Sequence, residues 1–299
     1  MKRLSGPAHF HLADSPPNRV FLTIQAALQQ GVNILEKASV GVPRLTAEVL
    51  LCHALGRDRS YLYAHGPDEL TELQWIHYGR YLNDRLKGKP TQYITHKQEF
   101  YDREFYVDQH VLIPRPETEH LVEGALAYAE SRASLTILDV GTGSGAIAVT
   151  VALERDQPVF ASDLSLPAIY IAERNRKTHN ARVQFFAADL LEAVASRSID
   201  LLISNPPYVP GADAANMQSE VRDWEPHVAL FAGDTGLEIY GRLIDAAACA
   251  VKPGGRLLVE LGYRSLPAVQ DMLAGKWTDV AVSSDLAGLP RVVGATLRG

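Results

Sequence analysis

Apolar residues recur along the chain with two different periods, and the change of period divides it. Phe21, Ile24, Leu28 and Leu35 share one helical face, and Ala47, Leu50, Leu51 and Ala54 repeat the i, i+3, i+4, i+7 spacing. Pro43 suits a helix start and Gly56 a stop. Trp75, Tyr78, Leu82 and Leu86 predict a further helix, ended by Gly88 and Pro90. Residues 19–92 thus read as a small helical domain. Residues 1–18 hold Pro7, Pro16 and Pro17 without sustained periodicity and read as a flexible N-terminal arm, in which His9 and His11 are solvated. Over residues 93–113 the chain turns rich in β-formers: Tyr93, Ile94, Phe100, Tyr101, Phe105, Tyr106 and Val107. With Asp102-Arg103 as the turn, this stretch predicts a β-hairpin linker.

The third part, residues 114–299, opens with a helix over Pro116–Ala129. Apolar strands then alternate with helices. Strands are predicted at Thr136–Val140, Val159–Ser162, Val183–Ala187, Leu201–Ser204 and Arg256–Leu261, with a terminal pair at Ala281–Ser283 and Val292–Thr296. Helices are predicted at Ala146–Glu154, Leu166–Lys177 and Leu237–Ala250. Such alternation implies an α/β fold whose mostly parallel sheet is covered on both faces.

Composition narrows the class. The 299 residues are 46% hydrophobic and 21% charged, an ordinary globular balance. A net charge of −6 disfavours a protein that lives on phosphate backbones, so no direct nucleic-acid partner is expected. No apolar run spans a bilayer and Lys2-Arg3 leads into none, so the expectation is a cytoplasmic protein without a membrane partner. Cys52 and Cys249 lie in apolar helical patterns and read as buried free thiols. The histidines lack metal-ligand spacing, and His179 and His227 read as surface or packing residues; no metal is expected.

Candidate chemistry begins at Asp139-Val140-Gly141-Thr142-Gly143-Ser144-Gly145, which follows an apolar strand and opens a helix. Glycines let the backbone turn sharply and approach a ligand, and the helix start offers unpaired N–H groups. Gly141, Thr142, Gly143, Ser144 and Gly145 are therefore candidate cofactor residues. The loop alone fits a nicotinamide cofactor or S-adenosylmethionine equally. Asp163 ends the next strand about 20 residues on, where an acid can accept bonds from ribose hydroxyls. Asp189 closes the third strand, where it can face an adenine amino group.

Asn205-Pro206-Pro207-Tyr208 follows the fourth predicted strand, at the carboxyl edge where α/β sheets place ligands. Two prolines remove two backbone donors and stiffen the loop. An amide nitrogen is a poor nucleophile, because its lone pair is shared with the carbonyl in the resonance that resists rotation by about 18–20 kcal/mol. Holding both N–H bonds with acceptors aims that nitrogen. The Asn205 side-chain oxygen and the Pro206 carbonyl are two such acceptors, and the Tyr208 ring can stack on a planar group. A sulfonium methyl donor then needs no metal or covalent intermediate, since positioning alone supplies about 7–11 kcal/mol. Asn205, Pro206 and Tyr208 are the candidate catalytic residues; with Pro207 they form the candidate substrate clamp.

These residues resemble the HemK/PrmC family, the glutamine N5-methyltransferases of peptide-chain release factors. The resemblance runs from about Pro43 to the C-terminal end, through Pro43–Glu48, Gly88-Lys89-Pro90 with Gln92-Tyr93-Ile94, and Leu112–Glu119. It continues through Asp139–Gly145, Asn205–Tyr208, Glu225-Pro226, Ala229-Leu230 and Gly233. It implies a Rossmann-like class I methyltransferase domain with a seven-stranded sheet, S-adenosylmethionine as cofactor and S-adenosylhomocysteine as product. It further implies that Gly141–Gly145 and Asp163 contact the cofactor, with Asn205 close by. Asn205–Tyr208 would clamp the glutamine of a Gly-Gly-Gln motif in class I release factors, docked by the helical domain. Leu190 stands where some family members carry an aromatic residue, and is assigned to the cofactor pocket without stacking.

A sister family that methylates a ribosomal-protein glutamine shares Asn205–Tyr208, but Ile113–Glu119 and Pro43–Glu48 resemble the release-factor branch better. An adenine N6 DNA methyltransferase uses the same tetrapeptide on a flipped base but needs a basic duplex-reading region, which is not evident here. A nicotinamide oxidoreductase leaves Asn205–Tyr208 unexplained, and a non-catalytic binding protein leaves the intact clamp without a task. Arg115 and Glu119 suit substrate positioning or a cap and ion pair alike, and Arg222, Trp224 and Glu225 suit the rim of the site, Trp224 by packing.

Overall fold

The computed structural model describes residues 22–299. The expected arm with His9 and His11 lies outside them, as does Phe21 of the first apolar face. Two compact units divide the chain, one ending at Lys87 and the other beginning at Gly88.

The first unit holds α1 (Ile24–Lys37), α2 (Pro43–Leu55), α3 (Arg59–Ala64) and α4 (Glu72–Leu86). Thr23 caps α1 by accepting from the Ala26 N–H, and Thr71 with Gln74 forms a reciprocal capping box on α4. Ile24, Leu28, Leu35, Leu50, Leu51, Tyr78 and Leu82 supply the core, whereas Leu86, on the last residue of α4, is exposed. Glu48 is buried but not orphaned: Arg59 (2.6 Å), Tyr63 (2.6 Å) and Arg44 (3.1 Å) all reach it. Cys52 is half-buried as a free thiol.

The second unit starts with a departure from expectation. Tyr93 and Ile94 stand in a short helix, α5 (Thr91–Thr95), rather than in a hairpin. Their β-propensity yields to burial: Tyr93 packs with Val107, Val111 and Ile113, and its hydroxyl donates to the Val111 carbonyl at 2.6 Å. This packing places Tyr93 and Ile94 in the second unit, which begins at Gly88. The hairpin is confined to β1 (Gln98–Phe100) and β2 (Arg103–Phe105). Its turn is Tyr101-Asp102, with φ of 51° and 56°, instead of Asp102-Arg103. Two left-handed residues match the twist of the flanking strands.

Seven strands form the central sheet: β3 (Ile137–Val140), β4 (Val159–Asp163), β5 (Val183–Ala187), β6 (Ile199–Ser204), β7 (Val251–Glu260), β8 (Trp277–Ser284) and β9 (Pro290–Leu297). Their order is β5-β4-β3-β6-β7-β9-β8, parallel from β5 to β7, with β9 antiparallel to both its neighbours. Alternate strand residues face opposite layers. Ile137, Leu201, Ile203 and Leu258 pack with residues of α6 (Glu119–Ala129) and α7 (Ala146–Arg155). Leu138, Leu202, Leu257 and Val259 pack with α11 (Glu238–Ala250) and α12 (Leu266–Leu273), which follow the short α9 (Ser219–Trp224) and α10 (His227–Leu230). The Rossmann-like α/β reading therefore holds, sheet count included. Cys249, near the end of α11, is exposed rather than buried, because the buried face there is carried by Ala247, Ala248 and Ala250. Among the described residues, no helix is long and apolar enough to cross a membrane.

Candidate active site

Strand order reverses at β3, which has β4 on one side and β6 on the other. Connections leaving β3 and β6 depart in opposite directions, opening a crevice at their carboxyl ends. A cleft of about 240 Å³ lies there. Its lining brings together Gly141, Thr142, Gly143, Ser144, Asp163, Asp189, Leu190, Asn205 and Pro207.

The β3 side is built from backbone. Gly141 and Gly143 sit at φ +75° and +55°, where a Cβ would meet nothing within 4 Å, so bare peptide faces open space. Behind them, Asp163 spans two donors, accepting from the Gly143 N–H and the Ser165 N–H at 2.8 Å each. One acid at the end of β4 thus shapes the turn. Asp139 lies fully buried beneath the turn, its Oδ2 taking the Thr142 hydroxyl at 2.7 Å and its Oδ1 unpaired; burial pushes its carboxyl up to about 7. Gly145 points away from the cleft toward α8 (Leu166–His179), where a Cβ would come 3.1 Å from that of Ala172. These features fit a nucleoside cofactor: open peptide N–H groups at a helix start and an acid one strand over. At the far rim, Asp189 is engaged by Arg242 at 2.8 Å, an exposed pair beside Leu190.

The β6 side is built from side chains. Asn205 Nδ2 donates to the Thr118 hydroxyl at 3.2 Å, so the opposite end of the carboxamide, Oδ1, is left as the acceptor end. Ser204 Oγ ties β6 to β3 by donating to the Val140 carbonyl at 2.7 Å. Beyond the two prolines, Val209 exchanges backbone bonds with Leu230 and Ala232, and Gly211 donates to the Gly233 carbonyl. Leu230 and Gly233 therefore serve the clamp loop by pinning it. Tyr208 does not line the cleft; its ring lies against Gly262, where a Cβ would come 2.7 Å from it. Burial pushes the Tyr208 phenol up to about 12, which keeps it neutral. Pro206 is likewise absent from the lining.

The structure assigns partners to residues whose roles the sequence leaves open. Thr118 closes a 3₁₀ turn (Pro116–Thr118) ahead of α6 and is buried behind Asn205. Glu225, also buried, accepts from the Ile113 N–H at 3.2 Å and from Arg115 at 2.5 Å, which makes Arg115 an ion-pair partner that also lines the cleft. Glu119 accepts from the Tyr101 N–H at 2.9 Å and so holds the hairpin turn. Trp224 packs against the cluster of Tyr93, Val107 and Ile113. His179 and His227 bond the Glu104 and Arg222 carbonyls. Among the described residues, no group of three or more His, Cys, Asp or Glu side chains is arranged to hold a metal ion.

Comparison with known proteins bears on this geometry. The family model for the PrmC N-terminal domain matches residues 26–95, and that for the methyltransferase small domain matches residues 120–221. A release factor glutamine methyltransferase of Koribacter versatilis (strain Ellin345) is 43% identical over 274 residues, covering 91% of this chain and 98% of that one. One of Bacillus subtilis (strain 168) is 37% identical over 284 residues, covering 92% and 98%. The chain belongs to the release factor glutamine methyltransferase family. Among solved structures, a methyltransferase from Pyrococcus furiosus shares the fold, with a TM-score of 0.50 and 16% identity over 67% of this chain and 91% of that one.

Proposed function

We propose that this methyltransferase transfers the methyl group of S-adenosylmethionine to the side-chain amide nitrogen (N5) of the glutamine in the Gly-Gly-Gln motif of class I peptide-chain release factors. The observation that carries the reading is the Asn205 carboxamide, tethered through its nitrogen to Thr118 in the same cleft as the open glycine turn. Relatives named release factor glutamine methyltransferases, alike over nine-tenths of the chain, support the substrate class.

In this reading Gly141–Ser144 offer peptide N–H groups to the cofactor, Asp163 accepts its ribose hydroxyls, and Asp189 and Leu190 border its base. Gly145 contributes through helix packing. Bound there, S-adenosylmethionine supplies a methyl group on a cationic sulfur. Asn205 Oδ1 and the Pro206 carbonyl each accept one N–H of the substrate amide, which turns the nitrogen lone pair toward that methyl. The rigidity of Pro206-Pro207 and the pinned Val209 keep those acceptors in place before substrate arrives, so little ordering is left for the transition state. Tyr208, a neutral phenol whose ring is seated against Gly262 outside the cleft lining, supports the clamp loop from behind. The helical unit would dock the release factor; it exposes Val42, Leu45, Tyr63, Leu73 and Ile76. The site of action would be the cytoplasm, where release factors work.

The test is transfer of radiolabelled methyl to a purified class I release factor, alongside the same factor with Gly-Gly-Gln changed to Gly-Gly-Ala. Label on the first and none on the second is expected. Equal labelling of both would overturn the assigned nitrogen.

A further inference from the structure

On α8, behind the glycine turn, lies a buried carboxamide that the reaction as described does not use. Asn175 is 1% exposed, and both its N–H bonds and its oxygen are engaged. Nδ2 donates to the Ser144 carbonyl at 2.8 Å and to the Tyr106 carbonyl at 3.0 Å, while Oδ1 accepts from the Tyr106 N–H at 2.8 Å. One planar group thus pairs with the backbone of Tyr106 as a neighbouring strand would, and gives its remaining donor to the turn. Ala172, three residues earlier on the same face of α8, sits where a Cβ on Gly145 would come within 3.1 Å of it. The bare Gly145 admits α8 to the distance at which Asn175 reaches the adjoining peptide.

We propose that Asn175 is a positioning residue for cofactor binding, which fixes the Ser144–Gly145 peptide of the glycine turn and couples it to Tyr106 at the end of the hairpin. This rests on the reading of that turn as the cofactor seat. A peptide is a rigid plane with its C=O and N–H on opposite edges. Asn175 holds the carbonyl edge, and the Thr142 carbonyl accepts from the Gly145 N–H at 2.8 Å on the other. Held at both edges, the plane cannot rotate. It therefore fixes where α7 begins and how the first turn of that helix meets the cleft, which Ser144, Ala146 and Ile147 line. Without the Asn175 donor a buried carbonyl is left unpaired, and the turn populates other orientations. Apparent affinity then falls with the fraction of molecules whose turn is correctly formed.

The other end of the link is firmly seated. The Tyr106 ring stacks on His96, with centroids 5.1 Å apart and planes at 11°, and the Arg174 guanidinium lies 3.4 Å over it. His96 closes α5, and its Nδ1 bonds the Val107 carbonyl at 3.1 Å. Neither Asn175 nor Tyr106 lines the cleft, whereas Ser144 does. A response of Tyr106 to a bound cofactor must therefore travel through the protein, and Asn175 is the direct hydrogen-bonded route.

The experiment uses the full chain with S-adenosylhomocysteine as the probe. In the wild type, hydrogen exchange is followed at single amides with and without it. The Tyr106 amide should exchange at least about fivefold more slowly when the probe is bound, whereas the amides of β1, in the same hairpin, should not respond. Calorimetry then compares the wild type with Asn175→Asp and Leu273→Ala. Asn175→Asp keeps the shape and the acceptor but sets a carboxylate oxygen against two carbonyls. Leu273→Ala opens a cavity under α12, in the layer on the other face of the sheet. Both should lower Tm, but only Asn175→Asp should weaken probe binding, by about 5- to 50-fold. In turnover the loss belongs in the KM for S-adenosylmethionine rather than in kcat. If Asn175→Asp does not fold, the wild-type exchange decides alone. A Tyr106 amide indifferent to the probe, or an Asn175→Asp affinity no lower than that of Leu273→Ala, would overturn the coupling and leave the functional reading intact. A wild type that does not bind S-adenosylhomocysteine would overturn both.

Discussion

After β3 the cleft is faced by the backbone itself, through glycines at positive φ; after β6 it is faced by one side chain, Asn205, held from behind by Thr118. The first arrangement is local. Asp139 through Gly145 contain nearly everything the turn needs, and the missing brace, Asp163, ends the next strand. The second is assembled from far apart: Thr118 precedes Asn205 by 87 positions, and Gly262 and Leu230 come from later elements. A site made of peptide groups needs the right φ angles. A site made of a side chain needs partners to choose its rotamer and polarity.

Substitutions at the two strand ends should therefore fail differently. Asn205→Ala should lower kcat by about 10²–10³-fold, the loss when one preorganised polar group is removed, with cofactor affinity nearly unchanged. Equal losses in both would erase the division between the strand ends. Gly262→Ala puts a methyl 2.7 Å from the Tyr208 ring. At about 1–3 kcal/mol for overpacking, transfer should fall by about 5- to 150-fold, again with cofactor titration unaffected. Gly143→Ala should do the reverse. Its φ of +55° costs a side chain about 1–2 kcal/mol, and the new methyl points into the open space of the turn. Calorimetry should show cofactor binding weakened by about 5- to 30-fold, while kcat at saturation stays near wild type. Arg242→Ala removes only an exposed partner of Asp189, and should change cofactor affinity by less than about fivefold. A larger loss there would mean that the rim, rather than the glycine turn, dominates cofactor binding.

The same contrast explains what the sequence discloses. Strands β3 to β7 are legible because each alternates or runs apolar between clear breakers, whereas their order in the sheet emerges only from the structure. Tyr93 and Ile94 mislead because aromatic and β-branched residues favour strands on average, whereas here burial against Val107 and Ile113 selects a single helical turn. Short helices such as α3 and α12 pass unseen, since six or eight residues complete too few turns for a periodic signal. Cys249 lies in an apolar stretch yet is exposed, because composition does not say which side of a helix faces the sheet. At the site, Gly141–Ser144, Asp163 and Asn205 declare themselves through special backbone needs or rare spacing. The pairing of Thr118 with Asn205 does not, for nothing near either residue in the chain points to the other, 87 positions away.

The placement of β9 has a consequence for synthesis. It is made after β8 but lies between β7 and β8, pairing Val292 with Glu260. On the ribosome, β7 therefore waits with an open edge while β8 emerges, and β8 has no place in the sheet until residues 290–297 arrive. The part of the sheet that leads into Gly262, the seat of Tyr208, closes late, so the glycine turn after β3 can form well before the loop after β6 is fully supported.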